Sequence, residues 1–90
     1  MGRILIVDDE ELALENLEYA MKKEGYEVVC ANNGSMAFKN LEKQEFDVVM
    51  TDLRMDKVDG IQVLTRCRSL YPDSEVIIIT AYASLPSAIE

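Results

Sequence analysis

An α/β fold, a parallel sheet covered by helices on both faces, is predicted by three features of the sequence. Apolar runs of strand length recur: Ile4-Leu5-Ile6-Val7, Val48-Val49-Met50 and Val76-Ile77-Ile78-Ile79. Unbroken runs of this kind suit strands buried on both faces, as parallel strands are. Segments with helical periodicity separate them, and that alternation implies right-handed crossovers. Each run also breaks off at a polar residue: Asp8-Asp9, Asp52 (after Thr51) and Thr80.

The elements follow in order. The first strand spans about Arg3 to Val7 and leads through Asp8-Asp9-Glu10 into a helix whose apolar stripe is Ala13, Leu14, Leu17, Ala20 and Met21. Gly25 is placed to end that helix, because glycine adopts the left-handed conformation of a C-terminal cap without steric cost. Tyr26 to Ala31 reads as a second strand. Asn32-Asn33-Gly34-Ser35 supplies turn chemistry and an N-cap for a helix carrying Ala37, Phe38 and Leu41, which stops near Gln44. The third strand is Phe46 to Thr51, followed by a loop from Leu53 to Asp59. The next helix is expected to face inward through Ile61, Leu64, Cys67 and Leu70 and to end before Pro72. Glu75 to Thr80 is the fourth strand, and Ser84 is placed to cap a further helix opening at Leu85-Pro86.

Ninety residues of globular composition make one domain. Seventeen acids against nine bases give a net charge of −8. That balance repels nucleic acid and anionic membranes and favours cations or basic partners. Neither a signal peptide nor a membrane-spanning stretch of about 18 apolar residues occurs, so a cytoplasmic location is expected. Histidine is absent, which excludes Ser-His and Cys-His nucleophilic pairs and histidine-ligated metals. Cys30 and Cys67 have no metal-motif spacing and read as reduced core thiols.

In open parallel sheets, ligands bind beyond the carboxyl ends of the strands. Asp8, Asp9, Asp52 and Thr80 would meet there. Taken singly, Asp8-Asp9 reads as a helix cap or dipole partner, Asp52 as a solvated strand-end acid and Thr80 as an ordinary strand residue. Falling together at the ends of three buried strands, they point to chemistry. Crowded carboxylates repel, and a divalent cation relieves the repulsion; an oxygen-only ligand set suits Mg2+. With the metal held by its neighbours, Asp52 can attack phosphorus to give an aspartyl phosphate, and Thr80 can donate a hydrogen bond to a phosphoryl oxygen.

The whole pattern resembles the receiver domain of bacterial two-component response regulators. Arg3-Ile4-Leu5-Ile6-Val7-Asp8-Asp9-Glu10 is similar to the family's first strand and acidic pair, and Asp47-Val48-Val49-Met50-Thr51-Asp52 to its phosphoacceptor strand. Met55 through Asp59-Gly60 matches the loop that follows. The runs Thr51-Asp52-Leu53-Arg54-Met55 and Thr80-Ala81-Tyr82-Ala83-Ser84 most resemble receivers of enhancer-binding transcription activators. The resemblance implies a flavodoxin-like doubly wound sheet with strand order 2-1-3-4, Asp52 as phosphoacceptor and a partner histidine kinase or phosphotransfer protein. It implies Asp9 as a direct metal ligand, Asp8 as a ligand through water and the Arg54 carbonyl as a further ligand. Thr80 becomes the switch hydroxyl, and Tyr82 and the Arg54 side chain tune phosphate lifetime and partner choice. No enzymatic turnover beyond assisting its own phosphorylation and dephosphorylation is expected.

Two departures stand out. Asp56 occupies the position where the family usually has proline. The family's fifth strand and helix, with the lysine that pairs with the phosphoryl group, have no counterpart up to Glu90. On that reading the receiver domain of residues 1–90 is C-terminally truncated and its fourth strand is an apolar sheet edge. Self-association or segment swapping through this edge is the expected consequence. Other function classes are a haloacid-dehalogenase-like phosphohydrolase, whose motif needs an acid where Arg54 stands, and a structural or engineered fragment with vestigial acids.

Overall fold

A computed structural model describes residues 2–53 and 59–79. The expectations for Arg54, Asp56, Thr80, Tyr82 and the helix opening at Leu85-Pro86 lie outside the described residues. Among the described residues seven elements alternate: β1 (Arg3–Val7), α1 (Glu11–Lys23), β2 (Glu27–Ala31), α2 (Gly34–Lys43), β3 (Val48–Asp52), α3 (Gly60–Leu70) and β4 (Glu75–Ile79). The four described strands form one parallel sheet in the order β2-β1-β3-β4. This is the flavodoxin-like arrangement.

Alternation along each strand divides the core in two. Leu5 and Val7 of β1 face the same side as Val49 and pack with Ala37, Leu41, Phe46, Val63 and Cys67 beneath α2 and α3. Ile4 and Ile6 face the other side, against Leu14, Leu17 and Met21 of α1 and beside Val48 and Met50. Leu5 and Ile6 are fully shielded from solvent, each burial stabilising by about 2 kcal/mol. The central strands are therefore gripped on both faces, which makes their C-terminal ends a rigid platform.

The helix ends follow local chemistry. At the end of α1, Gly25 has φ 98°, its N–H donates to the Lys22 carbonyl at 3.0 Å, and the Tyr26 N–H reaches the Met21 carbonyl at 3.2 Å. This 6→1 and 5→2 pair is a Schellman cap, for which a left-handed residue is required. Asn33 caps α2 by accepting the Met36 N–H at 2.8 Å. Asp59 and Gln62 close a capping box on α3, each side chain accepting the other's backbone N–H at 3.0 Å.

Two sequence expectations are corrected. The inward stripe of α3 is Gly60, Val63 and Cys67, continued by Tyr71, whose hydroxyl donates to the Leu41 carbonyl at 2.6 Å. Ile61 and Leu70, expected inside, are 49% and 39% exposed. The sequence permits both phases because the helix is apolar on more than one side; the close approach of Gly60 to β3 decides between them. Secondly, β3 begins at Val48 and includes Asp52, whereas Phe46 is buried ahead of the strand and accepts the Ser74 hydroxyl through its carbonyl.

Candidate metal and phosphoacceptor site

The registers of β1 and β3 bring the acids together. Ile4 pairs with Val48, Ile6 with Met50 and Val7 with Thr51, so the next step along both strands sets Asp8 beside Asp52. Both continue the parity of residues facing α1, and they therefore share a face. The ladder runs past the end of β1, the Asp8 N–H donating to the Ala31 carbonyl at 3.1 Å. On the far side of β3, Asp52 pairs with Ile79, and the Leu53 N–H donates to the Ile79 carbonyl at 3.1 Å.

One carboxylate oxygen from each of Asp8, Asp9 and Asp52 lies within 4.8 Å of the other two. Asp8 is buried, Asp52 half-buried and Asp9 exposed, so the cluster opens to solvent on one side. Neither Asp8 nor Asp9 caps α1. Glu10 occupies that position without a side-chain capping bond, and Asp8 Oδ1 accepts the Glu10 N–H at 2.9 Å in a turn that fixes its carboxylate. The cap alternative for the acidic pair is thereby excluded.

Three carboxylates at this spacing fit a hard divalent cation, which takes oxygen ligands and retains waters on its open side. Beneath them, Thr51 is fully buried and its hydroxyl donates to the Asp52 carbonyl at 3.1 Å. The N-terminus of α3 is tied to the next residue of the strand end, the Gly60 N–H donating to the Leu53 carbonyl at 2.8 Å. Gly60 and the capping box were not identified as part of the site from sequence, although Asp59-x-x-Gln62 is a readable capping signal.

The thiols take no part. Burial pushes the Cys67 thiol above its ordinary range, and burial followed by the nearby Glu18 carboxylate does the same for Cys30. Both are free, Cys67 buried and Cys30 half-buried, and a raised pKa favours the neutral thiol over the reactive thiolate.

The sequence matches the family model of the response regulator receiver domain over residues 4–90. Among curated proteins, it is 42% identical over 90 residues to the regulatory protein AtoC of Escherichia coli, covering 100% of this chain and 20% of AtoC. It is 38% identical over 89 residues to the alginate biosynthesis transcriptional regulatory protein AlgB of Pseudomonas putida, covering 99% and 20%. The chain thus spans a fifth of the length of these relatives. Among solved structures, the response regulator TrrA of Thermotoga maritima, determined in complex with Mg2+-BeF, superposes with a TM-score of 0.86 at 37% identity, over 97% of this chain and 76% of TrrA. TrrA in complex with the histidine kinase ThkA gives a TM-score of 0.84 at 36% identity, over 96% and 74%. An acidic cluster on the shared rim of a 2-1-3-4 parallel sheet, with a family match across nearly the whole sequence, makes this chain a member of the response regulator receiver domain family.

Proposed function

We propose that the chain is a Mg2+-dependent phosphoacceptor switch in which Asp52 receives a phosphoryl group from a partner histidine kinase or phosphotransfer protein. The observation that carries this reading is the convergence of Asp8, Asp9 and Asp52 within 4.8 Å. Asp8 and Asp9 would hold the cation together with Asp52, and the Arg54 carbonyl is assigned as a further ligand by family resemblance. When bound, Mg2+ screens the negative charge shared by the carboxylate and the incoming phosphoryl group. An Asp52 carboxylate oxygen forms the new bond to phosphorus as the phosphorus–nitrogen bond of the donor breaks. The electron pair of that bond stays on the donor imidazole.

Thr80 is proposed as the switch hydroxyl. Its support is the family resemblance and the pairing of Asp52 with Ile79, one residue earlier. Tyr82 and the Arg54 side chain are proposed to tune phosphate lifetime and partner choice. The Mg2+-BeF complex of TrrA and its complex with ThkA support the metal and the kinase by analogy. Among the described residues, no helix is long and apolar enough to cross a membrane, and a cytoplasmic role as the input of a transcriptional regulator accords with the relatives.

Incubation with acetyl phosphate and Mg2+ tests the proposal. A single phosphoryl adduct per chain, seen by intact mass and lost in Asp52→Asn, is the expected result. Continuous phosphate release at many turnovers would instead support the phosphohydrolase alternative, and neither adduct nor release would support vestigial acids. A separate proposal, self-association through the β4 edge, is motivated by the place of β4 at the end of the described sheet and by Ile77, which stands 48% exposed on the face it shares with Met50. A monodisperse monomer in light scattering at micromolar concentration refutes it.

A further inference from the structure

We infer that Gly60 is a positioning residue for the metal site, acting through the backbone of Asp52 and without touching the ion. The inference rests on the metal-binding reading above. A Cβ built on Gly60 would lie 2.5 Å from the Asp52 carbonyl oxygen, 3.0 Å from the Leu53 Cα and 3.2 Å from the Asp52 carbonyl carbon. All three are backbone atoms, so no rotamer change relieves the overlap, and the two segments must move apart.

Both segments are anchored. The first turn of α3 is held by the Asp59–Gln62 capping box and by Val63 and Cys67, both fully buried in the core. Asp52 and Leu53 lie at the end of β3, where the ladder to β4 finishes with the Leu53 N–H bond to Ile79. The overlap is shared between the two, and the share taken up by β3 falls on the backbone of the residue that bears the carboxylate, so the Asp52 carboxylate shifts with it. The same clash also strains the Gly60 N–H bond to Leu53 that ties the two segments together.

The metal amplifies a small displacement. Mg2+ demands near-ideal octahedral geometry at about 2.0–2.1 Å, whereas Ca2+ accepts irregular ligands at about 2.3–2.6 Å. A shift of a few tenths of an ångström in one carboxylate is therefore felt more by Mg2+ than by Ca2+. Loss of stability alone has no such ion preference, so the ratio of the two affinities separates positioning from structural support.

The test is isothermal calorimetry of the wild-type chain, Gly60→Ala and Asp59→Ala with Mg2+ and with Ca2+, at a temperature where circular dichroism shows each chain folded. For Gly60→Ala, Mg2+ affinity is expected to fall about 10- to 100-fold, as when other supports of metal ligands are removed. Ca2+ affinity is expected to fall several-fold less. Asp59→Ala, which opens the cap without intruding on the carbonyl, should keep the wild-type ratio. Wild-type Mg2+ affinity in Gly60→Ala, or an equal loss for both ions, overturns the inference. Failure of the wild-type chain to take up either ion overturns the metal-binding reading itself, and this inference with it. If Gly60→Ala does not fold, the wild-type Gly60 amide resonance is followed during Mg2+ titration. Movement with the same midpoint as Asp9 supports the coupling, and an unmoved resonance refutes it.

Discussion

The two rims of the sheet handle charge in opposite ways. At the amino-terminal rim the Arg3 N–H donates to Asp47 Oδ2 at 2.8 Å, Arg3 Nη1 donates to the Glu45 carbonyl at 3.3 Å, and the guanidinium lies 3.5 Å from the Glu27 carboxylate. Backbone bonds from Asp47 to Arg3, Glu27 to Gly2 and Glu75 to Asp47 complete that rim. Glu27 and Asp47 thus find their partners, a guanidinium and a backbone N–H, within the chain. At the carboxyl-terminal rim, Asp8, Asp9 and Asp52 bring like charges within 4.8 Å. One rim partners acids within the fold; the other gathers acids where the proposed cation would sit. Like charges that the fold brings together are a better pointer to function than opposite charges it joins.

The largest expected effect is chemical. Asp52→Asn removes the nucleophile and abolishes acetyl-phosphate labelling in intact-mass measurements, whereas Asp47→Asn at the opposite rim leaves labelling at the wild-type level. A change of sign comes next. Without Mg2+, Asp52→Asn relieves repulsion on the order of 1 kcal/mol and raises the melting temperature. In saturating Mg2+ the order reverses, because the wild-type chain gains about 2.7 kcal/mol at a hundredfold excess over Kd. Thermal scans with and without the ion check both directions, and a wild-type chain unmoved by Mg2+ would break the contrast between the rims.

A smaller effect is expected at the amino-terminal rim. Asp47→Ala costs about 1 kcal/mol through the lost bond to the Arg3 N–H, equally with and without Mg2+. Urea titration in both conditions measures it. The smallest effect belongs to Cys67, whose thiol pKa burial raises. Below the unfolded thiol pKa both states hold the proton, so this group leaves stability unchanged there. Above it the unfolded chain sheds its proton first, and stability declines as pH rises. Cys67→Ala should flatten that alkaline slope in urea titrations across the range.

Much of this was legible because apolar runs and their polar stops lie contiguously in the chain. Val48-Val49-Met50-Thr51 names a buried strand, and the aspartate after it names a rim position. The order of the strands came from family resemblance, since periodicity carries no information about which strand neighbours which. The α3 face was misread because Ile61, Val63, Leu64, Cys67 and Leu70 satisfy more than one helical phase. A contact between backbones, Gly60 on Asp52, settled it, and such contacts leave no trace in hydropathy. The Arg3–Asp47 bond spans 44 positions and depends on the register of β1 against β3, so it too was out of reach. Thr80, Tyr82 and Arg54 rest on resemblance and position.

Because β1 and β3 run parallel and in step, the acidic cluster depends on strand alignment. A slip of one residue between them would carry Asp52 about 3.3 Å along the sheet and turn it to the opposite face. Misaligned chains would bury comparable apolar area yet scatter the acids, and under the proposed metal binding ion uptake would enrich correctly threaded molecules during folding.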